Sequence, residues 1–214
     1  MNQPETEEFK KSLLPKFVNR EREEGLLATC PHQIVTDEIA CIAVSNKTDV
    51  PINYQSAAEH CMTGAEVIEC AIQNQERHAY RLAPIEEMLG QTAEKDGPTL
   101  LVLTNEESFH GSCEALNATA MREAASQLGT DKILVIPSSV HEVLLFPEDA
   151  GLSVKQLNSL IASVNKLDVT PRERLSDRAM LYDRQTRRLE DAEKALCRDQ
   201  KETIIQLHEK KHHL

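Results

Sequence analysis

The sequence predicts an α+β fold with a central mixed or mainly antiparallel sheet, flanking helices and a C-terminal helix. Three observations support this class. Short apolar runs of strand length alternate with segments of helical spacing, and two of the runs are close enough to form a hairpin. The order of helix, strand and hairpin is irregular, which disfavours a doubly wound parallel sheet.

The first half of the chain contains one predicted strand and one well-marked helix start. Residues 35–44 form an apolar run that indicates a strand, and turn residues follow it. Thr63 and Glu66 have the spacing of a capping box, in which each side chain satisfies a free backbone amide of the other. We therefore expect a helix that runs from this box to about Asn74.

The middle of the chain combines a strand, a helix and a hairpin. Residues 99–103 are a short apolar run that predicts a buried strand. Residues 113–128 have apolar positions at three-and-four spacing, which predicts an amphipathic helix that ends at Gly129. Residues 133–136 and 140–146 then predict two strands of a hairpin.

Two further helices are predicted towards the C-terminus. Ser153 and Gln156 repeat the capping box, and a buried stripe is expected at Val154, Leu157, Leu160, Ile161 and Val164. Residues 187–213 are polar with apolar positions at helical spacing, which predicts a helix that docks on its own domain or on a partner. The predicted organisation is a charged lead at 1–14, one α+β domain at 15–188 and a helical extension at 189–214.

Composition excludes several classes of protein. The 24 basic and 35 acidic residues give a net charge of −11, which disfavours nucleic acid as a partner. No apolar run approaches the roughly 20 residues that span a bilayer, and the N-terminus lacks a secretory signal. The six cysteines form no C-x-x-C pair, so reduced thiols and a cytoplasmic location are expected, without a metal or cofactor.

Several segments in a fixed order resemble a known family. They are VNREREEGLLATCPHQIVTDEIA, LTN, ILVIPSSVHEVLLFP and TPRERLSDRAMLYDR, and together they span roughly residues 15–188. The chain is similar over this range to an uncharacterised bacterial family of domains of unknown function, numbered fifty-six eighty-eight. The resemblance implies no established activity, substrate or catalytic residue.

Two polar turns supply the candidate site residues. The turn after the strand at 99–103 contains Asn105 and His110, and polar loops after strands often bind ligands. The hairpin turn contains Ser138, Ser139 and His141, which we also predict as ligand-binding residues. The leading hypothesis is a non-catalytic binding or regulatory domain that uses both turns to contact a protein or a small molecule.

Two alternatives belong to other functional classes. Ser139 as nucleophile and His141 as base, with Glu142 nearby, would make a hydrolase, although the chain lacks the G-x-S-x-G turn of many serine hydrolases. The second alternative is an assembly protein that forms homo-oligomers through its C-terminal helix.

Overall fold

Nine strands form two separate sheets in the computed structural model, which describes residues 3–90, 100–149, 151 and 153–201. The strands are β1 (Leu13–Asn19), β2 (His32–Ile34), β3 (Ile39–Ser45), β4 (Tyr80–Pro84), β5 (Leu101–Asn105), β6 (Lys132–Ile136), β7 (Val143–Pro147), β8 (Met180–Asp183) and β9 (Arg188–Asp191). The helices are α1 (Gln3–Lys11), α2 (Glu24–Leu27), α3 (Tyr54–Glu59), α4 (Gly64–Gln75), α5 (Ile85–Met88), α6 (Ala118–Leu128), α7 (Val154–Asp168) and α8 (described residues 192–201), with a 3-10 helix at Gly111–Leu116.

The predicted α+β class is confirmed, with antiparallel pairing throughout. The smaller sheet has the strand order β1-β3-β2, and the larger sheet has the order β4-β5-β7-β6-β8-β9. The strands divide between two sheets rather than joining one central sheet: β1 to β3 form the smaller sheet, and β4 to β9 form the larger one. In the described part of the chain, no helix is long and apolar enough to cross a membrane.

The two sheets share one hydrophobic core. Phe17 and Ile39 from the smaller sheet belong to the same cluster of buried side chains as Leu103 and Leu145 from the larger sheet. Met121 of α6 completes this cluster. Burial of this apolar surface holds the sheets together, so their adjacent ends can build a site from distant parts of the chain.

A segment that follows α7 ties the smaller sheet to the rest of the molecule. The side-chain amide of Asn19 donates to the carbonyl of Leu175 at 2.9 Å. The Arg22 guanidinium donates to the carbonyls of Pro171 and Arg174 at 2.8 and 2.7 Å. These bonds join residues about 150 positions apart, in addition to the shared core.

Both predicted capping boxes are confirmed. Thr63 accepts from the amide of Glu66 at 3.3 Å, and the Glu66 carboxylate accepts from the amide of Thr63 at 2.7 Å. Ser153 and Gln156 make the same reciprocal pair at the start of α7. These helix starts depend on residues three positions apart, which explains why the sequence alone reveals them.

The predicted hairpin is also confirmed, with a longer connection. β6 pairs with β7 in an antiparallel register that sets Ile136 opposite Leu144. The second strand begins at Val143 rather than at residue 140. Residues 137–142 form the connection, because Val140 bonds instead to the backbone of Glu173.

The predicted helix over residues 113–128 is wrong in its first five residues. Its sequence forms the 3-10 helix Gly111–Leu116 and then α6, which begins at Ala118. Asn117 separates them, because its extended backbone breaks the helix and its side chain accepts from the amides of Thr119 and Ala120. Gly129 ends α6 in the left-handed conformation, as predicted.

The predicted strand over residues 35–44 begins later than expected. β3 begins at Ile39, and the preceding residues turn because the Thr36 hydroxyl accepts from the amide of Ile39 at 3.1 Å.

The predicted buried stripe of α7 is also narrower than expected. Leu160 and Val164 are 54% and 41% exposed, and Asn165 is buried instead. The side-chain amide of Asn165 donates to the carbonyl of Ser176 at 2.9 Å, so this side chain faces the interior of the protein.

The predicted C-terminal helix begins later than expected. Residues Arg188–Asp191 form β9, which pairs with β8 at the edge of the larger sheet. The helix follows it, and Ala192 and Ala195 are fully buried in a cluster with Leu157 and Ile161. The described part of this helix therefore docks on its own domain, and the predicted positions beyond residue 201 lie outside the described residues.

Candidate functional site

The structure brings the two predicted turns into contact. The backbone amide of His110 donates to Nδ1 of His141 at 3.3 Å. The amide of Gly111 and the hydroxyl of Thr104 both donate to the carbonyl of His141, at 2.9 and 2.8 Å. One carbonyl of the hairpin connection therefore anchors the end of β5 and the start of the 3-10 helix.

The first turn is a tightly bent loop that Asn105 holds in shape. The Asn105 side chain accepts from the amide of Phe109 at 3.1 Å and donates to its carbonyl at 2.8 Å. Ser108 and His110 both have left-handed backbones, with φ of 51° and 54°. Such conformations are unfavourable for residues other than glycine, so surrounding contacts must hold them in place.

Gly111 is required by the close approach of this loop to the hairpin connection. A Cβ at this position would overlap Thr104 Oγ1 and would lie 2.6 Å from the amide nitrogen of Asn105 and 2.7 Å from the carbonyl oxygen of His141. No larger side chain fits there without movement of backbone atoms.

The hairpin connection uses its polar groups within the fold. The Ser139 hydroxyl accepts from the amide of His141 at 2.9 Å, as serines in turns often do. The carbonyl of Ser138 accepts from the amide of Leu175. Nε2 of His141 lies 3.6 Å from the Glu173 carboxylate. Both ring nitrogens of His141 thus have neighbours other than the Ser139 hydroxyl. The hypothesis of a hydrolase that uses Ser139 and His141, with Glu142 nearby, stays a prediction.

A cleft of about 440 Å³ lies beside the first turn, between the ends of the two sheets. Its walls come from β1, the turn after β3, the end of α4 and the loop that contains Asn105 and His110. The hairpin residues Ser138, Ser139 and His141 are not among its lining residues. The cleft residues that sequence reasoning missed include Lys16, Asp49, Gln75, Arg77 and His78.

An ion pair and a histidine form one side of the cleft. Nζ of Lys16 lies 2.5 Å from a carboxylate oxygen of Asp49, and Nε2 of His110 lies 3.6 Å from the same oxygen. Burial, together with the charge of Lys16, lowers the pKa of His110 below its ordinary value of 6.5. The imidazole is therefore neutral at neutral pH, and its buried Nδ1 has no hydrogen-bond partner among the described residues.

The mouth of the cleft carries charges of both signs. Arg77 and His78 follow α4, and Glu106 and Glu107 follow β5. All four are exposed. Among the described residues, no carboxylate lies within ion-pair distance of Arg77 or His78. The Arg77 guanidinium and the His78 imidazole at this mouth are therefore available to a ligand.

A buried carboxyl group lies in the 3-10 helix that borders the cleft. Glu114 is fully buried, and burial raises its pKa to about 7 despite hydrogen bonds from Gln75 and Asn117. The Oε2 atom of Glu114 accepts from the side-chain amide of Asn117 at 3.1 Å, whereas its Oε1 atom has no hydrogen-bond partner among the described residues. The neighbouring Cys113 thiol is also buried, which raises its pKa well above 9.

Metal binding has no obvious centre in the described part of the chain. There, no group of three or more His, Cys, Asp or Glu side chains could hold a metal ion. The six cysteines are all free thiols.

The fold and the cleft define a two-sheet α+β domain with a polar cleft between its sheets. The chain matches over residues 2–184 the family described as "Family of unknown function (DUF5688)", and it belongs to that family. The resemblance stated from the sequence is thus confirmed. No match was found among curated proteins or among solved structures.

Proposed function

We propose that this chain is a non-catalytic binding domain, and that the cleft between its sheets binds a small polar molecule with an anionic group. The observation that carries this proposal is the positive Arg77 guanidinium at the mouth, with the His78 imidazole next to it in the chain, neither of which has an ion-pair partner among the described residues. Arg77 can hold a carboxylate or phosphate with two parallel hydrogen bonds.

The interior of the cleft supports a ligand that also donates hydrogen bonds. His110 lines the cleft, and one ring nitrogen of a neutral imidazole can accept a hydrogen bond from a ligand. Glu106 and Glu107 also line the cleft and can accept from amine or hydroxyl groups of a ligand. The strained loop supports the same proposal, since strain of this kind often accompanies ligand sites.

We also propose a bacterial protein with a cytoplasmic location. The six free thiols support a reducing compartment, in which disulfides are rare.

The test begins with native mass spectrometry of the full chain purified without a tag. We then titrate it calorimetrically with phosphate, citrate and glutamate as defined probes. We expect a retained small molecule or measurable binding of at least one probe. Arg77→Ala should weaken that binding by about tenfold, because it removes a charge-assisted contact.

Arg81→Ala is the matched control. Arg81 is an exposed arginine on β4 that does not line the cleft, so its loss should leave binding unchanged. If both variants weakened probe binding equally, the effect would come from the overall charge of the protein. That result would contradict the proposed site. Absence of any retained molecule and of binding by all three probes would contradict the proposed function.

A further inference from the structure

A second groove lies on the other side of the smaller sheet, between the edge strand β2 and helix α4. Its volume is about 660 Å³. One wall is Pro31, His32 and Gln33, and the other is the face of α4. The lining residues of that face follow helical spacing: Ala65, Ile68, Glu69, Ile72 and Gln73. This groove is separate from the cleft, which α4 borders only at its opposite end.

The outer edge of β2 has free backbone groups. Pairs in an antiparallel ladder alternate between those that exchange hydrogen bonds and those that do not. The amide of Val35 donates to the carbonyl of Ile39, so these two residues are a hydrogen-bonded pair. In the same register Gln33 and Cys41 are the next such pair, and the backbone N–H and C=O of Gln33 therefore face β3. Ile34 therefore directs its N–H and C=O outward, and no backbone hydrogen bond from another described segment reaches it.

The edge of β2, a strand of only three residues, also lacks the charged side chain that protects many edge strands. Exposed sheet edges commonly carry charged residues that prevent pairing with other chains. The other described edges follow this rule, with Lys16 on β1, Arg81 on β4 and Arg188 on β9. β2 has the sequence His-Gln-Ile, and its Ile34 is 47% exposed.

The shape of the groove suits one extended chain. The side chains of Gln33 and its partner Cys41 lie on the sheet face that α4 covers. Alternate side chains of a strand added beside β2 would lie on the same face, over Ile68 and Ile72. Gly64 closes one end, since a Cβ there would lie 3.1 Å from Pro31 and 3.2 Å from the Tyr54 ring. An edge strand beside a helix is an arrangement that can bind peptides by β-strand addition.

The charge of the groove selects the kind of peptide. Glu69 lines it, and none of the lysines and arginines that the structure describes does so. The whole chain carries a net charge of −11. A basic side chain in the occupant would pair with Glu69, whose carboxylate otherwise accepts only from Gln73 among the described residues, at 3.3 Å.

We propose that β2 binds an extended basic segment of a partner protein as a fourth strand of the smaller sheet. The segment places apolar residues at alternate positions over α4 and a lysine or arginine beside Glu69. Backbone hydrogen bonds to β2 supply much of the affinity, and the groove supplies the sequence preference.

The test is a selection of random dodecapeptides displayed on phage against the full chain, followed by titration of the selected synthetic peptides. We expect sequences with alternating apolar residues and at least one lysine or arginine. Glu69→Lys should weaken their binding by about tenfold, because it replaces attraction by repulsion. Ile34→Pro should weaken it to a similar degree, because it removes an outward N–H without breaking an inward bond.

Glu59→Lys is the matched control. Glu59 is also exposed and also accepts from a glutamine four residues away, at 3.0 Å, but it lies outside the groove. It should leave peptide binding unchanged, and circular dichroism should show that all three variants are folded. Failure to select any peptide would overturn the proposal, as would equal binding by the parent and both groove variants. A dimer of the full chain that Ile34→Pro dissociates would also overturn it, since the edge would then pair with a second copy.

Discussion

The two turns that meet at His110 and His141 are built in different ways. The loop from Asn105 to Gly111 contains two left-handed residues and has no room for a Cβ at its end. The hairpin connection satisfies its backbone through ordinary hydrogen bonds to Ser139 and to the segment after α7. The difference teaches that proximity in space does not make two turns one site: only the strained loop lines the cleft.

The largest effect is expected from Gly111→Ala. The added Cβ meets backbone atoms on both turns, so we expect the free energy of unfolding to fall by about 3 kcal/mol or more. Urea denaturation measures this change.

Gly129→Ala is the control for the effect of glycine conformation alone. Gly129 has a φ of 67° with open space around it, so this variant should cost only about 1 kcal/mol. Equal costs for the two variants would show that steric contact at Gly111 is not what constrains the loop.

A second effect concerns the buried carboxyl group beside the strained loop. Burial raises the pKa of Glu114 from 4.5 to about 7, so the folded state binds its proton more tightly than the unfolded state. Between these pH values the free energy of unfolding therefore falls as the pH rises. Glu114→Gln removes this loss and should stabilise the protein by up to about 3 kcal/mol above pH 7.

The measurement is urea denaturation of parent and variant at about pH 5 and about pH 8, with the difference growing towards the higher pH. Glu107→Gln is the control, because Glu107 is an exposed carboxylate in the neighbouring loop. A stability difference for Glu114→Gln that does not change with pH would contradict the raised pKa.

The smallest effect is expected in the hairpin connection. Ser139→Ala removes one hydrogen bond to the amide of His141 and should cost about 1 kcal/mol. If the connection is only structural, the variant hydrolyses p-nitrophenyl acetate at the same background rate as the parent. Hydrolysis by the parent that both Ser139→Ala and His141→Ala abolish, while both stay folded, would instead support the hydrolase hypothesis.

The sequence predicts features that depend on neighbours along the chain. The capping boxes at Thr63 and Ser153 involve residues three positions apart, and both are present. The break at Asn117 also had a local signal, because asparagine is a strong N-cap residue. A capping argument at that position would have divided the predicted helix correctly.

Features that depend on distant pairing could not be predicted in this way. β9 lies in a segment with helical spacing, and only its partner β8 makes it a strand. The cleft combines Lys16, Asp49 and Arg77 with His110, and nothing in the sequence around each residue indicates the others. His110 was predicted because its turn is polar, whereas Asn105, predicted for the same reason, uses its side chain to hold the loop.

The bonds from Asn19 and Arg22 to Leu175, Pro171 and Arg174 have a consequence for synthesis on the ribosome. The smaller sheet emerges first, but the residues that cover its Phe17 face and tie down its end are translated much later. During that interval its apolar face lacks its native cover, and such surfaces promote aggregation. Completion of the contacts of the N-terminal third of this protein therefore waits for its C-terminal third.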